Sequence, residues 1–357
     1  MQEMVKRESI EALAVHFTAG VAAGTLLLRL PVSAYSLSGG LFLILASLLL
    51  AVLRTRRMGI LFPAFLICGA FCALTDAFAG PGPVLARWAS APAERLRGFI
   101  DTVPFPSEGT APLLKAFLTG DRSGLSGETV RIFRGSGASH LLALSGLHMG
   151  ILYLLLSRLL WPLGNSPAVR RFRYGIILLA AGIFTLMTGA TPSIVRAFLF
   201  IALRETALLL GRPRNPLRVL STALLIQLVL SPSVLSSTGF QLSYLAMAGI
   251  FLLYPRMEAW YPKSFRFDPV RRVWQTAALS ISCQVFTGPL AWIRFHSFPT
   301  YFLLTNLLAM PLTTLLMGTA VTTLVLRGLG CCPGLLVQAT DALCRALVRI
   351  LEIISSM

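Results

Sequence analysis

The stretch at 139–150 reads SHLLALSGLHMG, and it runs on into ILYLLLSRLLW at 151–161. The continuation is apolar enough for lipid. The start is not, because it holds two of the chain's four histidines, two serines and two glycines. About 18–20 apolar residues in a helix cross a bilayer. Polar side chains at that depth are costly unless they face a bundle interior or a wet cavity. The stretch therefore predicts a membrane helix over 138–161 whose first turns face something other than lipid.

Composition extends this reading to the whole chain. Of 357 residues, 55% are hydrophobic and 13% charged, whereas a soluble domain is about a quarter charged. Apolar runs predict spans near 10–30, 37–53, 58–79, 138–161, 174–190, 192–211, 217–231, 238–254, 273–293 and 299–327. A last segment, 335–355, carries Asp341, Arg345, Arg349 and Glu352 and is expected to span or to lie in the interface. The run at 10–30 is too long for a signal-peptide core and is expected to stay as an anchor. The fold class expected is an all-α polytopic membrane protein of about 10–11 transmembrane helices, with amphipathic helices on the outer face.

The net charge of +17 comes from 28 Arg and 3 Lys against 14 acids. Such a balance suits nucleic acid or anionic lipid, but Lys and Arg also collect on the cytoplasmic side of membrane spans. Alternate loops hold Lys6 and Arg7; Arg54, Arg56 and Arg57; Arg170, Arg171 and Arg173; Arg212, Arg214 and Arg218; and Arg256, Lys263, Arg266, Arg271 and Arg272. The short loops between them hold only Arg29 and Arg294. The asymmetry predicts a cytoplasmic N-terminus and an inner-membrane location. Six cysteines include no CxxC pair, so no disulfide framework or thiolate metal site is expected, and Cys68 and Cys72 read as small packing residues.

Four regions follow from the pattern. Residues 1–80 form an N-terminal three-helix membrane region. Residues 81–137 form an outer segment, in which VLARWASAPAERLRGFI and APLLKAFLTG read as helices on the membrane surface or against the spans. Residues 138–330 form the main bundle, and 331–357 a C-terminal membrane or interfacial helix. With the N-terminus inside, the unusual residues gather in the outer half of the bundle. They lie in SHLLALSGLHMG, in TGATPSIVR (188–196), in SSTGFQLSY (236–244), in FTGPLAWIRFHS (286–297) and in LLTN (303–306). Proline beside glycine, as at Pro192 and Pro289, suggests interrupted helices, which membranes tolerate only where protein or water satisfies the backbone.

Each residue has an ordinary role beside the functional one. Ser139, His140, Ser145 and His148 either cap and bridge helices or line a path. Gly146 and Gly150, four apart, suit close helix packing. Gln241, Gln284 and Asn306 suit interhelical hydrogen bonds as well as a polar lining. Arg196 either snorkels outward or meets an anionic substrate. Trp292 and Phe295 suit a membrane-interface belt.

Several of these segments resemble the ComEC competence family. LTGDRSGLSGETVRIFRGSGASHLLALSGLHMGIL (118–152) looks like its signature, and LMTGATPSIVRAFLF (186–200), SPSVLSSTGFQLSYLAMAGIFLL (231–253) and FPTYFLLTNLLAMPL (298–312) follow in the family's order. The resemblance covers roughly 110–330. It implies an inner-membrane channel that conducts single-stranded DNA into the cytoplasm during natural transformation, with no cofactor. Full-length members often carry an OB-like domain and a metallo-β-lactamase-like nuclease domain. The sequence has no room for the first before LTGDRSGL, and it has no HxHxDH motif for the second. The chain is expected to be a short member or the channel part alone, and not itself an enzyme.

The partners then expected are single-stranded DNA, membrane lipid, a separate nuclease, an outer DNA receptor, a cytoplasmic motor or strand-binding protein, and a second copy of the chain. Phosphate calls for donors, for which Arg122, His140, His148, Arg196, Gln241 and Asn306 are candidates, and bases call for aromatic faces, for which Phe240, Tyr244, Trp292 and Phe295 are candidates. Ser139, Ser145, Pro192 and Gln284 complete the candidate lining. Two other classes stay open: a small-molecule transporter, which interrupted helices also suit, and an intramembrane serine hydrolase built on Ser145 and His148.

Overall fold

A computed structural model describes residues 10–27, 61–76, 83–211, 215–261, 268–296 and 300–357. The span expected at 37–53, and the basic residues at 6–7, 29, 54–57, 212–214, 263 and 266, lie outside the described residues. The described chain is helical, with no strand. In order the helices are α1 (Ile10–Leu27), α2 (Leu61–Asp76), α3 (Pro83–Asp101), α4 (Thr110–Thr119), α5 (Gly127–Gly135), α6 (Ser139–Leu142), α7 (Gly146–Leu159), α8 (Pro167–Met187) and α9 (Pro192–Leu209). They continue as α10 (Pro216–Leu230), α11 (Thr238–Leu252), α12 (Tyr254–Glu258), α13 (Pro269–Phe295), α14 (Phe302–Gly328) and α15 (Gly334–Ser355). Among the described residues, three helical stretches are long and apolar enough to cross a membrane: Gly146–Leu163, Pro269–Phe295 and Phe302–Gly328. The protein is an all-α polytopic membrane protein.

Two compact units divide the chain. The first comprises 1–83 and 199–241, the second 84–198 and 242–357. In the first, α1 and α2 pack backbone to backbone. A Cβ on Gly20 would overlap the Leu66 carbonyl, and one on Gly69 would overlap that of Phe17. Small residues let membrane helices approach this closely and gain dispersion contacts along both backbones. Phe17 and Phe65 meet edge to face beside this seam at 6.4 Å, and α10 packs on α1.

The second unit is built on the α14–α15 hairpin. Leu316, Leu347 and Leu351 from the hairpin join Phe117 and Phe133, from α4 and α5, in one buried core. The segment before α6 lies against this hairpin from end to end. Arg327 in the last turn of α14 donates to Thr102 O at 3.2 Å, while Thr305 near its start donates to Ser136 O at 2.6 Å. Of the two helices expected on the membrane surface or against the spans, α4 joins α14 in this core. The buried Asp341 fixes it there: its carboxylate accepts from Ser107 N at 3.0 Å, Ser107 Oγ at 2.9 Å, Thr110 Oγ1 at 2.6 Å and Arg345 Nε at 3.0 Å. A carboxylate taken out of water needs this many donors to be tolerated.

The single helix expected over 138–161 is two helices. Ala143 and Ser145 are extended, with φ/ψ of −76/127° and −129/169°, and they separate the single turn of α6 from α7. Spacing along one helix therefore does not relate His140 to His148. The break follows from local chemistry. Ser145 caps α7, its Oγ accepting from Leu147 N at 3.3 Å, and the His148 ring reaches back to the Ser145 N–H. This reciprocal arrangement is a capping box with histidine as the returning partner.

Candidate functional site

The break frees backbone carbonyls, and buried carbonyls need partners. Arg122 Nε donates to Leu142 O at 3.1 Å, and Ser193 Oγ donates to Leu144 O at 2.8 Å. Two distant motifs are thereby drawn to one place. Arg122 comes from the TGDRSG loop, whose turn is set by Asp121. The Asp121 carboxylate accepts from Ser123 N at 3.0 Å, Ser123 Oγ at 2.7 Å and Arg97 at 3.0 Å. Ser193 comes from TGATPS, where Gly189 and Ala190 both adopt left-handed backbone, with φ of 72° and 49°. Pro192 then opens α9, at a position where its missing N–H costs nothing.

One turn further along α9, Arg196 lies over the start of α7. It is 8% exposed. Its Nη1 donates to the Ser243 carbonyl on α11, and a Cβ on Gly146 would stand 3.0 Å from its Nη2. Tyr244 and Cys283 lie within electrostatic reach of the guanidinium. No carboxylate pairs with it among the described residues. Gly150, one turn into α7, has nothing among the described residues within 4 Å of where its Cβ would stand, so no described neighbour packs on that position.

His148 is 1% exposed, and its ring lies 5.7 Å from that of Phe117. Its Nδ1 accepts the Ser145 N–H at 3.2 Å, which places the proton of the neutral ring on Nε2. That Nε2 is buried with no partner among the described residues. The 3.1 Å approach of Ser145 Oγ to the same Nδ1 belongs to this capping arrangement.

Of the residues singled out from sequence, Arg122, Ser145, His148, Pro192, Arg196 and Tyr244 meet around the break. Ser139 and His140 are exposed, His140 donating from Nδ1 to Gly137 O at 3.2 Å. Gln284, on α13, and Asn306, on α14, are half-buried, and Asn306 Oδ1 is buried without a partner among the described residues. Phe240 and Gln241 belong to the first unit. Phe240 is buried, and Gln241 donates to Leu235 O at 2.8 Å while its Oε1 has no partner among the described residues. Trp292 and Phe295 are both exposed, 56% and 59%. Sequence reasoning missed Ser193, although its place just after Thr-Pro marks a helix start. It also missed the Ser243 carbonyl, which no side-chain pattern announces.

A family model described as "Competence protein" matches residues 117–357. The chain is 27% identical over 210 residues to ComE operon protein 3 of Bacillus subtilis (strain 168), an alignment covering 58% of this chain and 25% of that protein. It is 28% identical over 202 residues to the YcaI protein of Escherichia coli (strain K12), covering 55% and 26%. A protein of Aquifex aeolicus (strain VF5) is 30% identical over 189 residues, covering 52% and 40%. The chain thus spans a quarter to two-fifths of the length of these curated relatives. No solved structure matches it.

Proposed function

This chain belongs to the competence protein family, and from that premise we propose that it is an inner-membrane channel conducting one strand of DNA into the cytoplasm during natural transformation. The observation that supports the reading is Arg196. A guanidinium that is nine-tenths buried without a carboxylate among the described residues carries a desolvation cost, and here it lies beside the positive end of a helix dipole. An anion arriving at the site relieves both costs. A single DNA strand offers such anions at regular spacing, and its bases offer faces to aromatic groups such as Tyr244.

The same reading assigns roles around the break. Arg122 and Ser193 hold the interrupted backbone open, while Ser145 and His148 fix the start of α7. Basic loops at 170–173 and 271–272 face the cytoplasm, the N-terminus lies on that side, and the break faces outward. Degradation of the second strand falls to a separate nuclease. An outer receptor delivers the DNA, and a cytoplasmic motor or strand-binding protein draws it in.

The test is deletion of the gene in its host, scored for transformation by added DNA. Transformation should be lost and should return with a plasmid copy. Unchanged transformation in the deletion strain ends the reading.

A further inference from the structure

Among the described residues, three donors at the break have no hydrogen-bond partner. The Gly146 N–H is the first of α7 and makes no hydrogen bond among the described residues, because Ser145 Oγ takes the Leu147 N–H and Ser145 O takes that of His148. Arg196 is nine-tenths buried, with Nη1 fixed on Ser243 O and Nη2 directed at residue 146 without a hydrogen-bond partner. His148 Nε2 is the third. A cation and a positive helix end are held together with no carboxylate between them among the described residues. Both desolvation and repulsion oppose that arrangement, and Ser193 and Ser243 nonetheless anchor it from two helices.

We propose that Arg196 Nη2 and the Gly146 N–H form a subsite for a single phosphodiester group of the passing DNA strand. This rests on the reading of the chain as a DNA channel. Helix N-termini bind phosphate through free N–H groups and the dipole, and a guanidinium adds a charge-assisted hydrogen bond. The fork of Arg196 serves two tasks at once: one nitrogen holds the Ser243 carbonyl and the other meets the phosphate. A lysine ammonium lacks that fixed geometry. Glycine at 146 keeps the helix start clear, since any Cβ there presses on Nη2. With one guanidinium edge and one backbone donor, the site grips one phosphate and releases it to the next.

The test uses the full chain in lipid nanodiscs with a fluorescent oligo-dT strand, its affinity measured across a series of salt concentrations. Losing one phosphate contact on a single strand lowers the slope of log K against log salt by about 0.7. R196Q should lower the slope by that amount and weaken binding several-fold. R196K should keep the slope and still lose affinity, and G146A should weaken binding through displaced Nη2. A methylphosphonate strand, which has no backbone charge, should not distinguish R196Q from the parent. R196K and G146A carry the test if R196Q fails to fold.

Parental affinity and slope in R196Q, or in both other variants, overturn the subsite. Transformation that needs the gene but is indifferent to R196Q and R196K overturns the subsite alone. Transformation indifferent to loss of the gene removes the channel reading, and with it DNA as the ligand here.

Discussion

Ser193 Oγ donates to Leu144 O at 2.8 Å, across 49 residues of sequence. The bond joins the first turn of α9 to a carbonyl that exists as a free acceptor only because the preceding helix is broken. Its loss leaves a buried carbonyl unpaired, at a cost of about 1–3 kcal/mol. S193A should therefore lower the unfolding midpoint of the purified protein and reduce DNA uptake at matched abundance. S193T, which keeps the hydroxyl, should behave more like the parent. S193A with parental stability and uptake would show that Leu144 O finds another donor and that the bond does not hold the break.

Asp121 titrates well below the usual aspartate range, at about 2. The Ser123 hydroxyl lowers it most and the Ser123 N–H next, against a penalty from burial, with Arg97 contributing last. A carboxyl depressed in the folded state contributes stability that is complete above its unfolded pKa, near 3.8, and is lost as pH falls toward 2. The stability difference between the parent and D121N should therefore be constant from pH 7 to about 4 and shrink below that. Thermal unfolding of both proteins over this range measures it. A difference that already fades between pH 7 and 5 would mean that the turn carrying Arg122 is not held by an ionised Asp121.

The helices were legible in the sequence because long apolar runs obey strong, local rules. α1, α2, α8 to α11, α13 and α14 fall where apolar runs predicted spans. The break inside 138–161 was not legible as a break, since no proline marks it. It arises from Ser145 and His148 acting together as a cap, a pairing visible as three-residue spacing but equally at home inside a helix. The site was legible in part for the same reason. Arg196, Pro192 and the serine–histidine pair stood out as costly residues in an apolar chain. The partners that position them are backbone carbonyls at 142, 144 and 243, which every residue has. Gly150 misled in the opposite direction, since its spacing from Gly146 suggested packing and no described residue packs on it.

Contacts at both ends of α14 require the segment 84–137 to follow the hairpin along its length. Cysteine pairs at 102 with 327, and at 136 with 305, should each be joined by a short thiol crosslinker, at sites taken from the two hydrogen bonds. A pair at 102 with 305 should not crosslink. At 1.5 Å per residue the 27-residue helix is about 40 Å long. Efficient joining of 102 to 305 would place the segment on one surface only.

The most direct test of the channel account is to catch the strand beside the break. A photo-crosslinking residue at Gly150 occupies a position one turn below Gly146 on which no described residue packs, and the same residue at the exposed Leu179 of α8 serves as the control. In competent cells fed end-labelled DNA, illumination should attach labelled single strand to the protein from position 150 and not from position 179. Absence of label at 150 during active uptake, or equal label at both positions, would contradict a strand path at this break.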